Sequence, residues 1–211
     1  MVRQGWLRPV RLPRGPGYGL TPKCVRRLDQ AALRIYRAGT LSWDGRWHLI
    51  VFPPVRERPR RERVRATLTF LGYAALSDST WIGPRSSTEL DNLLESEGIR
   101  ADRFDAELEG DPRELVARAW DLDAIGEAYA RWHAEADTLI SALPAHAPPD
   151  QVFATRSKLV HGWRNFLFRD PGLPPELLPT GWPGEKARAF FEQEAARLLP
   201  VAAAFVDREL H

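Results

Sequence analysis

Three basic residues recur at steps of three along one stretch of this chain, Lys158, His161 and Arg164, with Arg156 and Arg169 close by. Lysine and arginine match phosphate oxygens well, so the stripe suits a phosphate-bearing ligand. A solvated helix face would carry the same spacing. Near the start, Arg8, Arg11 and Arg14 stand among prolines and glycines, a setting in which arginine reaches along nucleic-acid phosphates. Catalytic signatures are missing: there is no G-x-S-x-G elbow, no P-loop, no Rossmann glycine fingerprint and no H-E-x-x-H. The five histidines form no i, i+4 pair for a metal. Asp121 and Asp123 read better as a helix junction, with Asp121 as cap, than as a cation site. The chain is therefore expected to be non-enzymatic, without catalytic residues, bound metal or cofactor.

These residues sit in a chain of 211 residues, 44% hydrophobic and 27% charged, an ordinary globular composition. The single Cys24 excludes a disulfide framework and a cysteine-based zinc module, and it suits a reducing compartment. Residues 1–20 hold four arginines and no apolar core of a signal peptide. Val201 to Val206 is far too short to span a bilayer. A cytoplasmic location with no membrane partner is expected.

The net charge of +2 conceals an uneven distribution. Residues 1–65 carry 16 basic and 4 acidic residues, net +12, and the remainder carries 14 and 24, net −10. Codon bias explains why arginine outnumbers lysine 27 to 3, but not the absence of any acid before Asp29. The pattern points to an anionic partner for the first third, most simply nucleic acid.

The elements that must position these groups follow from periodicity. Residues 5–21 read as two short strands about a Pro/Gly turn, a basic hairpin like the wing of a winged-helix domain. Thr21-Pro22 then starts a helix with Val25, Leu28, Ala32 and Ile35 at helical spacing, and Ala38-Gly39-Thr40 looks like a linker. From Trp43 the order is strand (47–55), Arg-rich helix (56–71), strand (73–76), strand (80–83), helix from Ser87 to a stop at Gly98, and alternating strand (103–109). The Arg-rich helix buries Val64, Leu68 and Leu71 and turns a cationic face outward. On the last strand Phe104, Ala106 and Leu108 share one face. This is the split βαβ, ferredoxin-like βαββαβ plan. Helices capped at Asp111-Pro112 and Asp121 follow, then one helix over about 150–168, a proline-dense loop at 170–184 and a last amphipathic helix. On the 150–168 helix Val152, Phe153, Leu159, Val160, Trp163, Phe166 and Leu167 are expected inward. Trp120, Trp132, Trp163 and Trp182 read as core anchors. The fold class is α+β, divided as 1–42 (hairpin and linker helix), 43–110 (ferredoxin-like, offering an edge strand for dimerisation) and 111–211 (helical, effector-sensing).

Several strings occur in a fixed order: Gly5-Trp6-Leu7, Tyr18-x-Leu20-Thr21, Arg34-Ile35-Tyr36, Trp43-Asp44-Gly45-Arg46-Trp47, Leu71-Gly72-Tyr73, Trp81-Ile82-Gly83-Pro84, Ala119-Trp120-Asp121-Leu122 and His161-x-Trp163-Arg164. The longest is last, Asp170-Pro171-x-Leu173-Pro174-x-x-Leu177-Leu178-Pro179-x-x-Trp182-Pro183-Gly184. Together they resemble the PaaX-like phenylacetate-degradation repressors across essentially the whole chain. The resemblance implies a transcriptional repressor with a winged helix, a ferredoxin-like middle and a helical C-terminal domain. It also implies a homodimer released from DNA by an aryl-acetyl-CoA, phenylacetyl-CoA in the name-giving members. In that pattern a helix-turn-helix precedes the wing, whereas here only Met1 to Gln4 stands before Gly5. DNA binding by the chain as given is accordingly expected to be weak or non-specific. The alternative is an acyl-CoA- or protein-binding module without specific DNA binding. The middle region is also similar to a small CRISPR-associated nuclease whose first strand ends in a metal-binding aspartate. Pro53-Pro54 occupies that strand end here, which argues against nuclease chemistry.

Overall fold

The computed structural model describes residues 2, 5–12, 15–22, 24, 25 and 43–210, in two compact units, Met1–Thr40 and Leu41–His211. In the first unit, β1 (Leu7–Leu12) pairs antiparallel with β2 (Gly15–Leu20), from Leu7 opposite Leu20 to Leu12 opposite Gly15. Thr21 ends the hairpin and starts a helix. Its Oγ1 donates to the Gly5 carbonyl at 2.7 Å and accepts from the Cys24 amide at 3.2 Å, the N-cap expected of Thr21-Pro22. The continuation of that helix to Tyr36 and the 38–40 linker lie outside the described residues.

The second unit begins with an antiparallel sheet. Its strands are β3 (Arg46–Val51), β4 (Ala74–Ala75), β5 (Thr80–Gly83) and β6 (Asp102–Glu107), ordered β4-β5-β3-β6. The crossing helices are α1 (Arg58–Phe70) and α2 (Glu89–Ser96). This order is that of the ferredoxin-like plan, and the protein is α+β. Side chains on a strand alternate faces, so the sheet builds two cores. Ile50, Phe52 and Trp81 pack with Val64 and Leu68 of α1 and Leu90, Leu93 and Leu94 of α2. On the other face Trp47, Ala74 and Ile82 pack with Leu115 and Val116 of α3 (Pro112–Ala119) and with Leu173 and Leu177 from the proline-dense loop. The first core is local in sequence. The second joins residues more than 100 positions apart.

The predicted caps are present. Asp111 accepts from the Arg113 amide at 2.8 Å, and Asp121 from the Ala124 amide at 3.0 Å, which starts α4 (Leu122–Ser141). After α2, Gly98 adopts φ +59° and the Ile99 amide reaches back to the Leu94 carbonyl at 2.8 Å, a left-handed helix stop. The helix expected over 150–168 is in two parts: α5 (Pro149–Trp163) and a 3₁₀ segment (Arg164–Phe168). The 3₁₀ segment is closed by the Arg169 amide on the Phe166 carbonyl at 3.1 Å, and the Asp170 amide reaches the same carbonyl at 2.8 Å before the chain enters the loop. Val152, Leu159, Trp163 and Phe166 are buried as expected, whereas Phe153 is exposed and meets Phe205 at a tilt, ring centres 5.4 Å apart. The last helix, α6 (Pro183–Leu210), buries Ala187, Phe191, Ala195, Leu198 and Ala202 along one stripe. Among the described residues no helix is long and apolar enough to cross a membrane.

Two features depart from simple patterning. Strand β6 is an edge strand, and its alternation buries nothing: Phe104 stays 53% exposed although it lies opposite Leu49. The reason is positional, since β6 has a neighbour on one side only. The other is a buried polar pair. His48 Nδ1 lies 2.7 Å from the Tyr73 hydroxyl. Burial pushes the Tyr73 hydroxyl up, well beyond its usual range, so the phenol stays protonated. Burial also pulls the His48 imidazole below its ordinary value, with Asp105 opposing and Arg103 reinforcing the shift. The unfolded chain therefore takes up a proton near pH 6.5 that the folded chain resists. Stability should be fully present above pH 6.5 and decline as pH falls below it. Denaturant unfolding at pH 7.5 and 5.5 checks this, and His48→Gln should flatten the decline. A gain in stability on acidification would show that the fold prefers the charged ring.

Candidate functional site

The two groups of basic residues expected to meet phosphates lie in different units of the structure. On the hairpin, Arg8 and Arg11 are exposed, and Arg14 lies outside the described residues. An odd separation puts Arg8 and Arg11 on opposite faces of the two-stranded ribbon. They therefore form a basic rim rather than a one-sided patch. Tyr18, opposite Pro9, is 66% exposed on the same ribbon.

In the second unit, Lys158 and His161 lie exposed on α5, one turn apart, and Arg164 and Arg169 follow, exposed, at the 3₁₀ segment and just after it. Arg156 is different. It is half-buried, and its Nε donates to the Ala195 carbonyl of α6 at 3.1 Å. That carbonyl lies just over a turn before Pro200, which has no amide to donate and interrupts the helical hydrogen-bond ladder. Arg156 thus ties α5 to α6, while the other four are free to meet solvent.

Immediately after the stripe, Asp170 organises the proline-dense loop. Its Oδ1 accepts from the Gly172 amide at 2.7 Å, and its Oδ2 accepts from the Tyr129 hydroxyl of α4 at 2.5 Å. Burial, followed by the Asp170 charge, drives the Tyr129 hydroxyl far above its usual range, so the phenol stays a donor. Around it lies an aromatic cluster. Tyr129 stacks on Phe166 at 3.9 Å, Trp163 stacks on Phe191 at 4.7 Å, and Trp132 meets Trp163 at 5.0 Å. Trp132, Trp163 and Trp182 are buried, and Trp120 is half-buried beside Trp47. This packing holds the loop that bears the longest of the sequence strings.

One feature escaped sequence reasoning. Trp43, Asp44, Gly45, Trp47, Glu107, Leu108 and Pro112 line an open groove of about 330 Å³ at the end of β6. Trp43 meets Trp47 edge-on at 5.2 Å, and Trp47 stacks on Trp120 at 6.0 Å. The buried Trp47 Nε1 has no hydrogen-bond partner among the described residues, a cost in a folded protein. The available signal was the density of tryptophan in Trp43-Asp44-Gly45-Arg46-Trp47. Among the described residues no three His, Cys, Asp or Glu side chains converge as a metal site.

A basic hairpin, a ferredoxin-like sheet and a helical region sharing a core with that sheet define a multi-part α+β protein. The comparisons narrow this to one family. Residues 40–116 match the PaaX protein central Cas2-like domain, and residues 120–208 match the PaaX-like protein C-terminal domain. The transcriptional repressor PaaX of Escherichia coli is 29% identical over 219 residues, covering 98% of this chain and 69% of that protein. The solved structure of the uncharacterised Mycobacterium tuberculosis protein Rv0674 is similar with a TM-score of 0.60 and 25% identity, over 97% of this chain and 80% of that one. The chain belongs to the PaaX-like family.

The seam between sheet and loop is open to a direct test. Gly72 has φ +91°, and a Cβ there would run into the Pro171 carbonyl oxygen. Gly72→Ala should therefore cost roughly 2–4 kcal/mol, from backbone strain and the clash together. Denaturant unfolding measures the loss. A change under about 0.5 kcal/mol would mean that the loop does not bear on the sheet at this point.

Proposed function

We propose that this protein is a transcriptional regulator of the repressor type. It binds DNA through the hairpin of residues 1–42 and dimerises through residues 43–110. It senses an aryl-acetyl-CoA thioester through residues 111–211. The observation that carries the reading is the match to a transcriptional repressor along 98% of this chain, together with both family domains in order. The chemistry agrees with it. Arg8, Arg11 and Arg14 supply phosphate contacts, which give affinity rather than base recognition. Lys158, His161, Arg164 and Arg169 offer cations to the phosphates of the coenzyme, and Arg156 fixes the helix that bears them. A cytoplasmic, non-enzymatic role goes with this reading.

In the experiment that tests it, duplex DNA from the chain's own upstream region is bound and then challenged with a panel of acyl-CoAs that includes phenylacetyl-CoA. DNA should be released, and the thermal midpoint of the free protein should rise, since a ligand that binds only the folded state stabilises it. Arg164→Glu should leave DNA binding intact and raise the acyl-CoA concentration needed for release about tenfold, the equivalent of one lost charged contact. DNA binding without release by any thioester would leave the stripe as a solvated helix face. A thermal shift without DNA binding would favour the alternative, an acyl-CoA-binding module.

The dimer has its own expected outcome. Edge strand β6 presents Phe104 and, just beyond it, the 39% exposed Leu108, an open edge of the kind that pairs with another chain. Light scattering at micromolar concentration should give about twice the 23.9 kDa chain mass, and Phe104→Asp should return it to the monomer value. A wild-type monomer would count against both the dimer and the repressor.

A further inference from the structure

We infer that the outer face of α1 is a second surface for the DNA phosphate backbone, separate from the hairpin, with Arg58, Arg61 and Arg65 as its contacts. This rests on the DNA-binding reading above. The segment 58–65 holds five arginines and one acid, Glu62, and the structure sorts the arginines into two sets. Arg63 is clamped by Glu97, with Nε to Oε1 at 3.1 Å and Nη2 to Oε2 at 3.3 Å. Arg60 turns to the same residue, with Nε 3.5 Å from Oε2 and Nη2 donating to the Glu97 carbonyl. These two hold α1 against the end of α2, and Arg63 keeps the Glu97 carboxyl below its usual range. Arg58, Arg61 and Arg65 are exposed, and among the described residues none is ion-paired to a carboxylate. Arg61 and Arg65 share a small slot with Asp78 without an ion pair to it.

Spacing makes the second set a surface. Positions i, i+3 and i+7 fall within one narrow arc of a helix, and seven residues rise about 10 Å. That is about three base-pair steps along one strand at 3.4 Å each. Three guanidiniums at this pitch can follow consecutive phosphates, whereas a compact anion would engage one or two of them. Fold stability does not explain the arrangement. Arg58, Arg60 and Arg61 fall in the first turn of α1, which has no acid, and the last turn has no base. Cations at a helix N-terminus oppose the macrodipole. The cluster therefore works against its own helix, and a polyanion would relieve it.

The test uses the full chain, a mixed-sequence duplex of 30 base pairs and the duplex from its own upstream region, with affinity measured by fluorescence anisotropy across 50–200 mM salt. The triple variant Arg58→Gln, Arg61→Gln, Arg65→Gln should lose about tenfold or more in affinity for both duplexes. Its plot of log affinity against log salt should be shallower by about two to three, close to one per lost phosphate contact. Its thermal midpoint should stay level or rise, because cations have left the wrong end of a helix. The corresponding arginine-to-lysine triple should keep the wild-type slope. If the triple glutamine variant fails to fold, Arg65→Gln alone should lower the slope by about one. An unchanged slope in the folded glutamine variants, whether or not affinity falls, overturns the proposal. If Arg8→Gln with Arg11→Gln weakens binding while the α1 variants do not, the DNA-binding reading stands and this surface does not. If the wild-type chain binds neither duplex, both fall.

Discussion

The second face of the ferredoxin-like sheet is the constraint on which the rest of this unit depends. A four-stranded sheet with two helices on one side leaves its other side bare, and here that side carries Trp47, Ala74 and Ile82. Such a surface must be covered. Leu115 and Val116 of α3 cover part of it, and Leu173 and Leu177 of the proline-dense loop cover the rest. The loop needs no regular structure of its own because it is held at both flanks. Asp170 fastens it to α4 through Tyr129, and Trp182 packs against Gly126 at the far end. Gly72 lets the loop backbone approach the sheet more closely than any side chain would permit. The helices α4, α5 and α6 serve this arrangement as a frame around the aromatic cluster.

Charge follows a different logic from packing. Most interior contacts of the second unit are apolar or aromatic, and two of its buried polar side chains are paired, His48 with Tyr73 and Glu194 with Arg197 at 2.6 Å, whereas Trp47 Nε1 has no partner among the described residues. The arginines divide between structural and exposed. Arg46 lies across Glu107 and the Asp105 carbonyl, Arg103 meets Asp91 at 2.6 Å, and Arg156 reaches the Ala195 carbonyl. Each crosses from one element to another. Ion pairs of this exposed kind contribute little stability singly, so their value lies in fixing orientation.

Local features were legible in the sequence and long-range ones were not. Asp111 and Asp121 announce their helices because a cap acts within three residues. Gly98 announces a stop for the same reason. The strand and helix order of the middle region follows from periodicity and matches the observed sheet. What periodicity cannot convey is which apolar face finds a partner. Phe104 and Trp47 are both apolar residues on strands of one sheet. One lies on an edge strand with a neighbour on one side only, and the other beneath a loop 126 residues away. The tightening at Arg164 and the role of Arg156 beside Pro200 depend on contacts between separate helices, so a stripe drawn at steps of three treats unlike residues as equal. Among the functional residues the basic character was visible, while the distinction between Arg63 and Arg65 required the position of Glu97.

The separation between Trp47 and Leu177 also bears on how this chain leaves the ribosome. The sheet is complete once Glu107 has been added, yet its cover ends at Leu177, seventy residues later. At roughly 5–20 residues per second, the apolar face waits on the order of 4–14 s for Leu173 and Leu177 to arrive. During that interval a nascent chain displays tryptophan and isoleucine beside an unpaired β6 edge, a combination that invites mispairing with neighbouring chains. Slow translation through the 111–170 segment would prolong the exposure, and early docking of α3 over Trp47 would shorten it.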